Sequence, residues 1–175
     1  MIISLDEAKK IDSSIDQDDL DAFEQAVRAL TSNNFQVKQI RYQIKSIGED
    51  SITLDAALQG VRKGDSIEVN YSMLNDGVYE VLDVVEGIVT LQAKLFPEEP
   101  KRAILTLVRY PADIKRGIKK LIQYDVKMSS KIGVKSETIS RMSTTYFDVN
   151  ASDNTDGYPK ALLSFLDKYK KMRWS

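Results

Sequence analysis

Two periods divide the chain. Between residues 36 and 110 apolar side chains tend to alternate with polar ones, whereas on either side they recur every three to four positions, the spacings that give a strand one apolar face and a helix one apolar stripe. "SLDEAKKID" at residues 4–12 predicts a short helix opened by a capping box, with Ser4 and Glu7 three apart. "DDLDAFEQAVRALTS" places Leu20, Phe23, Val27 and Leu30 at helical spacing, with Asp18, Asp19 and Asp21 in the first turn, and "SNN" ends it. The period then drops to two. Val37, Ile40, Tyr42 and Ile44, then Ile52 and Leu54 beyond "GED", then Ile67, Val69 and Tyr71 after a Gly-Asp turn, predict strands. "NDG" and "EG" are turns around Val78–Val85 and the pair Val89 and Leu91, and residues 103–109 form the last strand.

Helical spacing returns at Pro111. Ile114, Ile118, Leu121, Ile122 and Val126 form one stripe of a helix over 111–131, with Lys115, Arg116, Lys119, Lys120 and Lys127 around the rest. "SETISRMSTTYFDV" reads as an extended or hairpin-like arm and "NASDNTDGY" as an exposed loop. "PKALLSFLDKYKKMRWS" predicts a last helix with Leu162, Leu163, Leu166 and Tyr169 on a common side. The expected architecture is therefore α+β. An α-helical core of about four helices comes from both flanks, residues 1–35 and 111–175, and a small antiparallel β-barrel or sandwich is inserted at 36–110.

Composition narrows the chemistry. The 175 residues include no cysteine and no histidine, which removes thiol nucleophiles, Ser-His relays and the usual zinc sites. No metal, no cofactor and no catalytic residue is expected. No apolar run approaches the roughly 20 residues that span a bilayer, and "MIISLDEAKK" has acids where a signal peptide wants a basic flank; the expectation is a soluble protein kept in the cytoplasm. Charge is uneven. Residues 1–100 hold nine basic against nineteen acidic residues, and residues 101–175 hold sixteen against seven. Such a chain suits contact with surfaces of complementary charge, including copies of itself.

Several motifs carry a bland reading beside a functional one. "SDNTDG" at 152–157 resembles the start of a calcium loop, but Ser152 takes the first ligand position and Leu163 stands where a bidentate glutamate belongs, so an Asx-rich turn is the expectation. Carboxylates fall in helix first turns or loops, where capping explains them better than an acid/base pair. The basic helix 111–131 supports sequence-independent DNA contact as an alternative function. The tail "DKYKKMRWS" closes on the only tryptophan, Trp174. Trp, Tyr and Arg are the types enriched at interface hot spots, and docking in a partner's groove is the favoured reading over packing on the chain's own core.

The segments "IISLDEAKKIDSSIDQDDLDAFEQAVRAL", "PADIKRGIKKLIQYDVKM", "KSETISRMSTTYFDV" and "GYPKALLSFLDKYKKMRW" together resemble the head–tail connector (adaptor, or head-completion) proteins of long-tailed bacteriophages. The matching positions are Lys135, Ser136, Glu137, Ile139, Ser143 and Tyr146 in the arm, then Pro159, Leu163, Leu166, Tyr169, Lys170, Lys171 and Trp174. The resemblance covers residues 1–34 and 111–175, and the β module is similar to a small barrel inserted in connectors from phages of Gram-positive hosts. It implies a connector-type helical core and a non-enzymatic virion protein of the neck, made in the host cytoplasm and assembled as a ring, usually of twelve subunits, beneath the portal. Packaged DNA would run through the channel. The implied partners are the portal protein, a stopper or tail-side protein, and further copies of the chain, without a membrane. Portal engagement falls on Tyr169, Lys170, Lys171, Met172, Arg173 and Trp174, and neighbour contact on the arm positions.

Overall fold

The computed structural model describes residues 1–128, 155 and 157–172 with their side chains, and the backbone of 136–139, 142–145 and 154. The alternation resolves into β1 (Gln36–Ile47), β2 (Ser51–Leu54), β3 (Ser66–Asn70), β4 (Gly77–Val85), β5 (Ile88–Leu91) and β6 (Ile104–Val108). Every pairing is antiparallel, the order is β1-β2-β5-β4-β3-β6, and β6 closes on β1. Closure leaves these strands no open edge to pair with another chain. The register sets Ile67 opposite Leu107 and Val69 opposite Leu105, which aims these side chains into the lumen. There they join Ile44, Ile52, Val81, Val89 and Leu91 in a contiguous cluster of fourteen buried residues.

β3 is buried on its outer face too. Glu68 accepts from the Asn34 and Gln36 side-chain amides at 3.3 and 2.7 Å, the kind of partners a buried carboxylate requires. Ser66 Oγ receives the Met1 amino group and donates to the Met1 carbonyl. The Phe35 and Tyr110 rings pack at a 45° tilt, centroids 4.9 Å apart, beside the start of β1 and the end of β6.

The chain divides into two compact units. One comprises Met1 with Asn34–Tyr110, the other Ile2–Asn33 with Pro111–Ser175. The second contains α1 (Leu5–Lys9), α2 (Gln17–Thr31), α3 (Ala112–Met128), the strand pairs β7 (Ser136–Ile139) with β8 (Met142–Thr145) and β9 (Asn154–Thr155) with β10 (Tyr158–Pro159), and α4 (Lys160–Leu163) running into a 3-10 segment, Ser164–Tyr169. Ser4 caps α1 by accepting the Glu7 N–H. The reciprocal box is at α2, where Asp16 and Asp19 each accept the other's backbone N–H. Among the described residues no helix is long and apolar enough to cross a membrane.

The expected architecture is corrected by this fold. The core is the closed six-stranded barrel, not an α-helical connector core carrying an inserted barrel. The reason lies in what each element buries. Alternating positions of the barrel strands converge on one lumen, whereas α1 contributes a single buried residue, Ala8, and the four-residue α4 none. Three details also differ. The buried stripe of α2 is Leu20, Glu24, Val27 and Thr31, with Phe23 and Leu30 only half-buried. Tyr71 does not continue the buried face of β3: its φ of +65° turns it out of the strand, and it is 71% exposed. The last helix tightens after one turn. Leu163, Leu166 and Tyr169 are spaced by three, the repeat of a 3-10 helix, and Leu166 is buried on that row.

Candidate partner-docking site

The tail positions singled out in the sequence begin on the 3-10 segment, and α3 decides where that segment goes. Gly117 leaves α3 bare at one point, and the Phe165 ring fills it so closely that a Cβ on Gly117 would lie 2.3 Å from Cε2. One helical turn earlier, Asp113 in the first turn of α3 accepts the Tyr169 hydroxyl at 2.7 Å and pairs with Lys168 Nζ at 2.5 Å. Both contacts favour the charged carboxylate. The Lys168 hydrogen bond and then that of Tyr169 hold Asp113 below the usual carboxyl range, and the same carboxylate raises Lys168 and Tyr169.

The backbone completes the attachment. Asn33 donates its side-chain amide to the Tyr169 carbonyl at 3.3 Å, and the Lys171 N–H donates to the Thr31 carbonyl at 2.8 Å. That carbonyl belongs to the last turn of α2, where helix carbonyls lack intrahelical donors. The segment turns extended at Lys170, with ψ of 128°, and Lys170 pairs with Asp167. Met172 then stands 82% exposed. Arg173 and Trp174 lie outside the described residues. Of the positions matched to portal engagement, Tyr169, Lys170 and the Lys171 backbone are thus engaged within their own chain, while Lys170, Lys171 and Met172 are all exposed.

In the arm, Ser136, Glu137 and Ile139 fall on β7 and Ser143 on β8, with Thr138 opposite Ser143; Lys135 and Tyr146 lie outside the described residues. So does Ser152 of the calcium-like stretch, whose Gly157 has a φ of +82° before β10. On α3, Lys115, Arg116 and Lys120 are exposed, while Lys119 pairs with Glu7 of α1 at 3.2 Å.

A second feature of this unit escaped the sequence. A cavity of about 410 Å3 opens between α2 and α3, lined by Asp12, Asp19, Phe23, Ile122, Asp125 and Tyr158 among others. Burial pushes the Asp125 carboxyl up against the opposing hydrogen bond from the Tyr158 hydroxyl at 2.6 Å, while burial and that carboxylate raise Tyr158. Asp12 moves the other way, held down by the Ser14 hydroxyl and N–H. Carboxylates with opposed shifts are what acid/base chemistry uses. Here, however, Asp12 and Asp19 serve as local caps and Asp125 is bonded to Tyr158. Among the described residues no group of three or more carboxylates is placed to hold a metal ion. No local pattern marks this pocket, because its members come from α2, α3, β10 and the turn before α2, and only folding brings them together.

No protein-family model matches the chain, and no curated protein sequence matches it.

Proposed function

We propose that the chain is a non-enzymatic structural protein of a bacteriophage neck, a subunit of a ring, of about twelve copies by analogy with the family it resembles, that joins the DNA-filled head to the stopper or tail. In this reading the portal protein receives the exposed end of the C-terminal segment, the arm around β7 and β8 meets a neighbouring subunit, and packaged DNA passes through the ring. The observation that carries it is the way this segment is presented. Asp113, Thr31 and Asn33 fix it as far as Lys171, so the basic, aromatic sequence from Met172 to Trp174 leaves a defined base. Anchoring the base lowers the ordering cost of docking the end. The uneven charge of the chain suits the heterologous contacts from which rings close.

The alternative, sequence-independent DNA contact through α3, has exposed Lys115, Arg116 and Lys120 in its favour, but Lys119 is directed to Glu7. The decisive experiment ends the chain after Lys171. That variant keeps Tyr169 on Asp113 and Lys171 on Thr31, so it should fold normally. DNA-filled heads lacking the wild-type protein should then neither bind it nor accept tails. Heads that retain DNA and become infectious with the shortened chain would overturn the docking role of the tail.

A further inference from the structure

At one end of the barrel two loops present an unusual surface. Tyr71, Met73 and Leu74 follow β3, Phe96 follows β5, and they are 71, 88, 63 and 62% exposed. Scattered apolar residues on a surface are ordinary, but four large ones on two tied loops are not. The loops are not loose. Asn75 is buried between them; its amide donates to the Phe96 carbonyl at 2.9 Å and its Oδ1 accepts the Phe96 N–H at 2.8 Å. Glu98 accepts the Met73 N–H, and its own backbone pairs in both directions with Ile47 of β1. Asp76 accepts the N–H groups of Tyr71 and Ser72, and the Tyr79 hydroxyl donates to the Asn75 carbonyl. These bonds also hold Tyr71 in a left-handed backbone that a bulky residue rarely adopts. Polar groups are thus directed inward to fix the loops, while the apolar ones are held out in water. That is the inverse of a surface selected only for solubility, and it is the preorganisation a docking site needs.

The occupant follows from charge. With the β1–β2 turn whose Glu49 carbonyl accepts the Leu95 N–H, residues 48–50, 71–76 and 92–103 hold five acids, Glu49, Asp50, Asp76, Glu98 and Glu99, against three bases, Lys94, Lys101 and Arg102, so the apolar tip stands in a net acidic surround. The C-terminal end has the complementary pattern, with Met172 and Trp174 set among Lys170, Lys171 and Arg173. We propose that the barrel tip formed by Tyr71, Met73, Leu74 and Phe96 is a docking site for the C-terminal end of a second copy of this chain. Each copy carries one tip and one tail, so the contact runs head to tail, and closes either by reciprocal exchange in a dimer or as a larger ring. The inference concerns the purified chain alone and does not rest on the connector reading. Under that reading one tail cannot fill two sites, and the portal competes with the tip for it.

Trp174 is the only tryptophan, which makes the test direct. A chain ended after Lys171 contains none, so the peptide Lys168–Ser175 added to it reports its own environment by indole fluorescence. Binding with a blue shift is expected, weakened at least tenfold by the paired substitutions Met73→Asp and Phe96→Asp, and weakened further as salt rises. Both side chains are mostly in solvent, so the paired variant should retain the wild-type circular dichroism. Sedimentation should show the full chain self-associating with concentration, and both the shortened chain and the tip variant monomeric. The proposal is overturned if the full chain sediments as a monomer at every concentration, if the peptide binds the tip variant as well as the parent, or if binding is lost instead on Asp12→Asn and Asp19→Asn in the helical cavity. A tip variant that no longer self-associates yet still joins portal-bearing heads would separate this contact from the neck function.

Discussion

The two units of this protein are stabilised by different means. The barrel is made of one continuous stretch of chain in which the strands are joined by connections of 2 to 12 residues and closed into a ring, so apolar side chains from every strand meet in one lumen. The helical unit is assembled from two stretches separated by the whole barrel, and its last segment, which buries one large apolar side chain, Leu166, is otherwise placed by particular contacts: a ring on a glycine, a carboxylate on a tyrosine and a lysine, the Asn33 amide on the Tyr169 carbonyl, and one backbone bond to Thr31. Burial is nondirectional and distributed, and it falls by degrees when one side chain is trimmed. A segment held at few points is sensitive to each. The unit that carries the candidate tail is therefore the one whose fit can be changed by a single atom.

Truncating the lumen should have the largest effect. Leu105 is fully buried, faces Val69 across the β3–β6 pair and sits within the barrel cluster. Leu105→Ala should destabilise the barrel by about 2 to 5 kcal/mol through lost burial and the cavity left behind, read as a fall in the urea midpoint of the strand signal. A loss below about 1 kcal/mol would mean that the lumen can collapse around the missing atoms, and the contrast with the helical unit would lose its basis.

An added methyl should be nearly as informative on the other side. In an ordinary helix Gly→Ala stabilises by roughly 0.5 to 1 kcal/mol. At Gly117 the new Cβ would meet Phe165 at 2.3 Å, so the ring must leave α3. Overpacking of this kind costs about 1 to 3 kcal/mol, which exceeds the propensity gain. Gly117→Ala should lower stability and expose residues 160–171 to protease. Adding Phe165→Ala should recover part of the loss, since the clash disappears and the two effects are not additive. A Gly117→Ala protein that is more stable than the parent would show that the segment is not held there.

Much of the strand pattern was legible in the sequence because period two and the turns at "NDG" and "EG" are local signals. The stripe of α3 was legible for the same reason as far as Ile122, with Ile114, Ile118, Leu121 and Ile122 all buried, but Val126, read as its fifth member, is 43% exposed. What the sequence did not reveal was where the core lies. Amphipathic spacing says that a helix has a covered face, not how much it covers, and four such segments suggested a helical core. Strand alternation likewise cannot tell a sheet that closes from one that does not. The tip was hidden because apolar residues in a turn-rich stretch look like strand ends, and Tyr71 fits the alternation that its left-handed backbone breaks. The partnership of Asp113 with Tyr169 spans 56 positions, and no periodicity links residues so far apart. Trp174 lies outside the described residues, yet its surroundings sharpen its reading: the chain is pinned at Lys171, three positions before it.

The smallest effect concerns that pinning and separates the units by pH. Lys168 and Tyr169 hold Asp113 below the ordinary value of 3.8. A carboxyl depressed in the fold contributes stability that is present above its unfolded pKa and is lost as pH falls through the folded one. Lys168 is raised above 10.5, so its contribution is present below that value and is lost only as pH climbs through the raised one. The attachment should accordingly be whole between about pH 5 and pH 10 and weaken on the acid side as Asp113 takes up a proton. The Lys171 amide, bonded to Thr31, reports it. Its protection from hydrogen exchange, corrected for the intrinsic rate, should drop at acid pH while amides of the barrel strands β3 and β6 keep theirs. Asp113→Asn should show reduced Lys171 protection already at neutral pH and little further change on acidification. If the Lys171 and barrel amides lose protection together, the acid transition is global unfolding and the tail segment is not held by this carboxylate.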